Sequence, residues 1–203
     1  MHPMSVYYNF AERAAREPDK TSWFYKNTLP LSRGGKAWGA NRYKCNAFVQ
    51  QAAAGAFGNS KIFQHPTLGR TFTANEIHRG LGSGKPFSVG GGYDLHQITA
   101  DEAAMLPGSI VTSGEYLDPT ATGHIGITPG FGARKAVSAA SAPRAQGVSY
   151  NDWGFRKGDK NLYGMLVPTG EDPIAFKKRQ LDFARKIRGA SKESKNNYFF
   201  KTR

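Results

Sequence analysis

Only one cysteine, Cys45, occurs in 203 residues, so neither an internal disulfide nor a cysteine-cluster zinc site can form. Long apolar runs are also missing, and nothing in the sequence is long and apolar enough to span a bilayer. The opening stretch "MHPMSVYYNFAERAAREPDK" lacks the apolar segment of an export signal. The expectation is a chain soluble in the cytoplasm, with no membrane span, which needs a machine to carry it if it acts elsewhere. Acidic residues are scarce, 15 Asp+Glu against 28 Lys+Arg, for a net charge of +13. Such a field favours polyanions: nucleic acid, anionic lipid surfaces or the acidic polymers of a cell wall. There is no zinc motif, no helix-turn-helix pattern and no RNA-recognition signature, so charge alone supports nucleic acid and no such partner is expected. There is no internal repeat.

What is present suits one ordinary globular domain. Hydrophobic residues make up 39% and aromatics 12%, while 24 glycines and 11 prolines predict many turns. Ser5 is placed to cap a helix running to about residue 17, where Pro18 would stop it. Residues 21–27 are aromatic and short, and 29–43 read as loop from their Pro, Gly and Ser content. Residues 44–57 follow as a helix. Residues 59–92 read as mostly irregular, with one short helix at 73–79, and 100–106 as another short helix or turn. Strands are predicted at 109–112, 124–128, 135–141 and 162–167. Asp172 then caps a basic helix over 173–188, closed by Gly189. Helices followed by an antiparallel meander make the fold class α+β. The expected layout is one domain over 1–170 and a basic C-terminal helix and tail over 171–203. That last segment carries ten Lys+Arg against four Asp+Glu. Its helix would attract polyanions, unless Phe176, Phe183 and Ile187 dock it on the core.

Chemistry points to Cys45. It stands where the polar run "NRYK" gives way to "NAFVQQAAAGAF", a helix-forming run. A helix N-terminus favours thiolate, and an imidazole can take the proton. Most lone cysteines are small buried hydrophobes, so the thiol needs a partner to matter. Among the histidines, His2 is terminal, His65 precedes a proline, and His78 and His96 lie in polar surroundings. His124 opens "GHIGIT", a glycine followed by an alternating strand. That strand puts its side chain on one face with Gly126 and Thr128, where small neighbours leave room for a substrate.

"KCNAFV" at 44–49, "LPGSIV" at 106–111 and "GHIGIT" at 123–128, in that order, resemble the NlpC-type and CHAP-type cell-wall amidases of the papain-like cysteine peptidase superfamily. "GRTFTANEIHRG" at 69–80 and "NDWGFRKGDKNLYG" at 151–164 resemble flanking segments of the peptidoglycan amidase effectors injected by type VI secretion systems. The matches span roughly residues 23–168. The resemblance implies a papain-like (NlpC-type) fold, with the nucleophile helix packed on an antiparallel sheet. It implies Cys45 as nucleophile, His124 as base, and no cofactor or metal. It also implies a peptidoglycan peptide substrate, a cognate immunity protein, a secretion-machine partner and action in the periplasm of a target cell. The family's third polar residue departs from pattern. Pairing 135–141 with the His124 strand through the "PGFGAR" turn sets Ser138 roughly opposite His124; Ser141, Asp152 or a main-chain carbonyl are alternatives. Arg70, Asn75 and Glu76 either bind peptide or form a solvated helix face, and Trp153 is more often core than platform. Competing functions are a phage or tail-associated CHAP-type lysin, and a non-catalytic basic protein that binds wall or nucleic acid.

Overall fold

The computed structural model describes residues 4–16, 44–114, 123–140, 147–152 and 160–193. The expected segments at 21–27 and 29–43, together with Ser141 and Trp153, lie outside them. Helix α1, Ser5–Ala15, buries Tyr7, Phe10, Ala11 and Ala14, the one-sided spacing of an amphipathic helix. Ser5 is its first helical residue and not its cap; that position falls to Met4. Helix α2, Cys45–Phe57, follows the predicted bounds and stops at Gly58, whose φ of 65° is the left-handed turn glycine allows. Helices α3, Ala74–Gly82, and α4, Ala100–Met105, each start with a reciprocal capping box, Thr73 with Glu76 and Thr99 with Glu102.

Among the described residues, seven strands form one antiparallel sheet. They are β1, Phe87–Gly90; β2, Tyr93–Ile98; β3, Ile110–Ser113; β4, His124–Ile127; β5, Lys135–Ala140; β6, Gly147–Asp152; and β7, Asn161–Pro168. Their order is β1-β2-β7-β3-β4-β5-β6. Strands β3, β4 and β5 follow the expected meander and β6 extends it, whereas the fourth predicted strand, β7, does not continue it but returns to pair with both β2 and β3. The α+β class stands. Strands β1, β2 and β6 replace stretches for which no strand was predicted, and 59–92 is more ordered than its composition suggests. The reason for β1 is tertiary. Val89 is fully buried, its carbonyl accepts the Phe63 N–H at 2.7 Å, and β2 pairs along its other edge.

Helix α5, Pro173–Glu193, begins as predicted, with the Ile174 N–H donating to Asp172 Oδ1 at 2.9 Å. It does not end at Gly189. Phe176 joins the main core, edge-on to Tyr7 with ring centroids 5.5 Å apart, and Gln180 and Ala184 are buried on the same side. Lys177 Nζ reaches Glu102 Oε1 at 2.6 Å, tying α5 to α4. Burying one such phenylalanine contributes about 2–3 kcal/mol. The stretch 173–189 is therefore packed on the body of the protein, across the expected boundary at 170. Among the described residues no helix is long and apolar enough to cross a membrane.

Candidate active site

Helix α2 carries almost no polar surface. Cys45, Ala47, Phe48, Val49, Ala52 and Ala53 are all buried, so the helix is wedged between α1 and the β4–β5 part of the sheet. This wedge sets the position of its first turn. Asn46 Nδ2 donates to the Phe72 carbonyl at 2.9 Å, and the Thr71 hydroxyl donates to Gln50 Oε1. Both bonds tie the start of α2 to the segment leading into α3.

The Cys45 thiol is 2% exposed. Burial pushes it up to about 11, because a thiolate there would lose its hydration. Three backbone N–H groups pull the other way, those of Ile125, Asn46 and Cys45 itself. Two belong to the start of the helix, where unpaired N–H groups and the helix dipole favour negative charge. The third belongs to the peptide joining His124 to Ile125. The thiol thus lies against the backbone of the residue expected to serve as its base. Lys44, directly before it, is also buried, and burial pushes its ammonium below the ordinary lysine value.

His124 opens β4 and is partly exposed. Its Nε2 lies 3.0 Å from the hydroxyl oxygen of Ser138, a residue with no exposed surface. Of the expected trio, His124 and Ser138 are side-chain neighbours, and Cys45 lies against the Ile125 N–H, one residue from His124. The register differs in detail. Ile127 pairs with Val137, so antiparallel counting sets Ser138 beside Gly126, diagonal from His124. The longer reach of the imidazole closes the gap. Asp152, an alternative partner, ends β6 opposite Lys135, one strand farther out.

On the other flank, Ser113 pairs with both His124 and Asn161. Residues directly opposite in a ladder share a face, so a polar row crosses three strands beside His124. Arg70 and Glu76 are occupied with each other: the guanidinium donates to both carboxylate oxygens, at 2.8 and 2.6 Å. The Arg70 bond, with the Thr73 cap, holds the Glu76 carboxyl at about 2.

Sequence reasoning passed over His78. Its Nδ1 lies 3.1 Å from the Thr112 hydroxyl. The signal was present, because 78 falls four residues after Ala74 and three before Leu81, both buried on α3. Among the described residues no group of three His, Cys, Asp or Glu side chains gathers where a metal could bind. No protein-family model matches the chain, and no characterised protein is a significant match to it.

Proposed function

We propose that the chain is a cysteine amidase or endopeptidase that cuts amide bonds in the peptides of bacterial cell walls, built on the papain-like (NlpC-type) plan. The observation that carries this reading is the thiol at the start of α2, held against the peptide that follows His124, while His124 Nε2 engages Ser138. The motif resemblance supplies the substrate class.

The proposed chemistry uses these contacts. With Nε2–H donating to Ser138, the imidazole lone pair lies on Nδ1. Nδ1 takes the Cys45 proton, and the sulfur attacks the substrate carbonyl carbon to form the C–S bond. The carbonyl oxygen gains the negative charge, and a backbone N–H at the helix start donates to it. The C–N bond then breaks, and the leaving amine takes the proton from His124. Water, deprotonated by the same imidazole, hydrolyses the thioester and restores the thiol. A thiol near 11 carries little charge at neutral pH, so the reaction requires this base.

The wider setting follows the same resemblance: a secreted antibacterial effector acting on the wall of a target cell, with an immunity protein in the producer. The net charge of +13 would concentrate it on an anionic wall. Mass spectrometry of muropeptides after incubation with the protein and with Cys45→Ala tests the proposal. New amide-cleavage products are expected from the native chain only. Identical products from both, or none from either, sink it.

A further inference from the structure

His124 is held at its ring by Ser138, but its backbone is held by something else. The residue before it, Gly123, has a φ of 75°. A side-chain carbon placed there would lie 2.5 Å from Asn75 Oδ1 and 2.7 Å from the Ser113 carbonyl. Gly123 is therefore gripped between α3 and β3 at a distance that glycine alone permits. The other arm of the same β-hairpin is gripped in the same way. At Gly114 an added carbon would lie 2.7 Å from His78 Nε2. His78 also reaches Thr112 through Nδ1 at 3.1 Å, and Thr112 pairs with Ile125, whose N–H faces the thiol. Asn75 and His78 stand three residues apart on one face of α3, so a single helix face fixes both arms where they meet the site.

We infer that Asn75 and His78 are positioning residues that set the placement of His124 relative to Cys45. They act through Gly123, Gly114 and Thr112, and α3 is itself fixed by Ile77 and Leu81, buried in the core. The inference rests on the amidase reading only in giving His124 a proton to move.

The test therefore reads the thiol without any substrate. The rate of Cys45 alkylation by iodoacetamide is followed against pH in the full chain, alongside a thermal melt. In the native protein a limb of reactivity below pH 8 is expected, and His124→Ala should abolish it. Asn75→Ala and His78→Ala should fold and lose about tenfold or more in rate on that limb, since a displacement of about 1 Å at a reacting pair costs as much as about 10²-fold. His78→Asn, which keeps a polar atom near the place of Nδ1, should recover most of the loss, and His78→Gln should not. Native profiles in the folded Asn75 and His78 variants overturn the inference, as do equal profiles for Asn and Gln at 78. Loss of folding in all of them also overturns it, because the contact is then structural. If His124→Ala itself leaves the profile unchanged, it is the amidase reading that falls.

Discussion

Helix α2 and helices α3 and α4 begin in opposite ways. Thr73 and Thr99 each accept a bond from the N–H three residues on, and Glu76 and Glu102 each reach back to the cap. These ends are closed. At α2 no side chain caps the helix among the described residues, and Lys44 could not, since an ammonium has no acceptor. Its open N–H groups face the sulfur of Cys45 instead. The closed ends contribute stability. The open end gives up that contribution and holds polarised donors at the one cysteine in the chain.

The sharpest way to break this comparison is Cys45→Ala. Hydrolysis and alkylation should both vanish while the melting temperature stays within a few degrees, measured by muropeptide release and a thermal melt; residual turnover would place the chemistry elsewhere. Next comes His124→Ala, for which turnover should fall about 10²–10⁴-fold, the usual contribution of a positioned base. Its alkylation should then rise in a single step toward about 11, where burial holds the thiol. Ser138→Ala should cost less than His124→Ala, because a hydroxyl only orients the ring; equal damage would give Ser138 a larger part.

Smaller effects should fall on the closed ends alone. Thr73→Ala and Thr99→Ala should each lower stability by about 1 kcal/mol in denaturant titration, with native alkylation of Cys45. A cap variant that slowed alkylation as much as it lowered stability would erase the distinction between the two kinds of end. The smallest effect concerns acid. Glu76 is held at about 2 against an ordinary 4.5, so its contribution is complete above 4.5 and is lost as pH falls toward 2. Glu76→Gln should flatten the pH dependence of the melt across that window, and an unchanged slope would show that the bond to Arg70 is not formed in solution.

Much of this arrangement was legible in advance where local pattern and tertiary demand agree. The α2 bounds follow from its alanine-rich run and from Gly58, and the capping threonines are visible as T-x-x-E in "TANE" and "TADE". Cys45 and His124 were legible as a helix start and a strand start. Strands β1 and β6 were not, because "FSVG" and "GVSYND" contain glycine, serine, asparagine and aspartate, which suit turns better than strands. Their ladders to β2 and β5 override that preference. Helix α5 runs past Gly189 because one exposed glycine inside a helix costs only about 1 kcal/mol and does not by itself end it. His78 lies in polar surroundings in the sequence, and its place shows only through Thr112 and Gly114, which are distant from it along the chain.

The insertion of β7 between β2 and β3 has a consequence for the order of assembly during synthesis. Tyr93 pairs with Pro168 and Ile98 with Tyr163, so the sheet cannot join its two halves until the chain has grown well past residue 160. Until then β1 and β2 can form only a two-stranded ribbon, which is marginal in isolation. The meander from β3 to β6 must likewise wait with the inner edge of β3 unpaired. At usual translation speeds the interval from β3 to the end of β7 lasts roughly 3–12 s. Long-range pairing of this kind also slows refolding, because loop closure comes before its reward. Strand β4, whose Ile125 N–H meets the Cys45 thiol, lies in this waiting half, so a ribosome-bound fragment ending near 150 would hold that contact without the β7 strand that flanks β3 in the finished sheet.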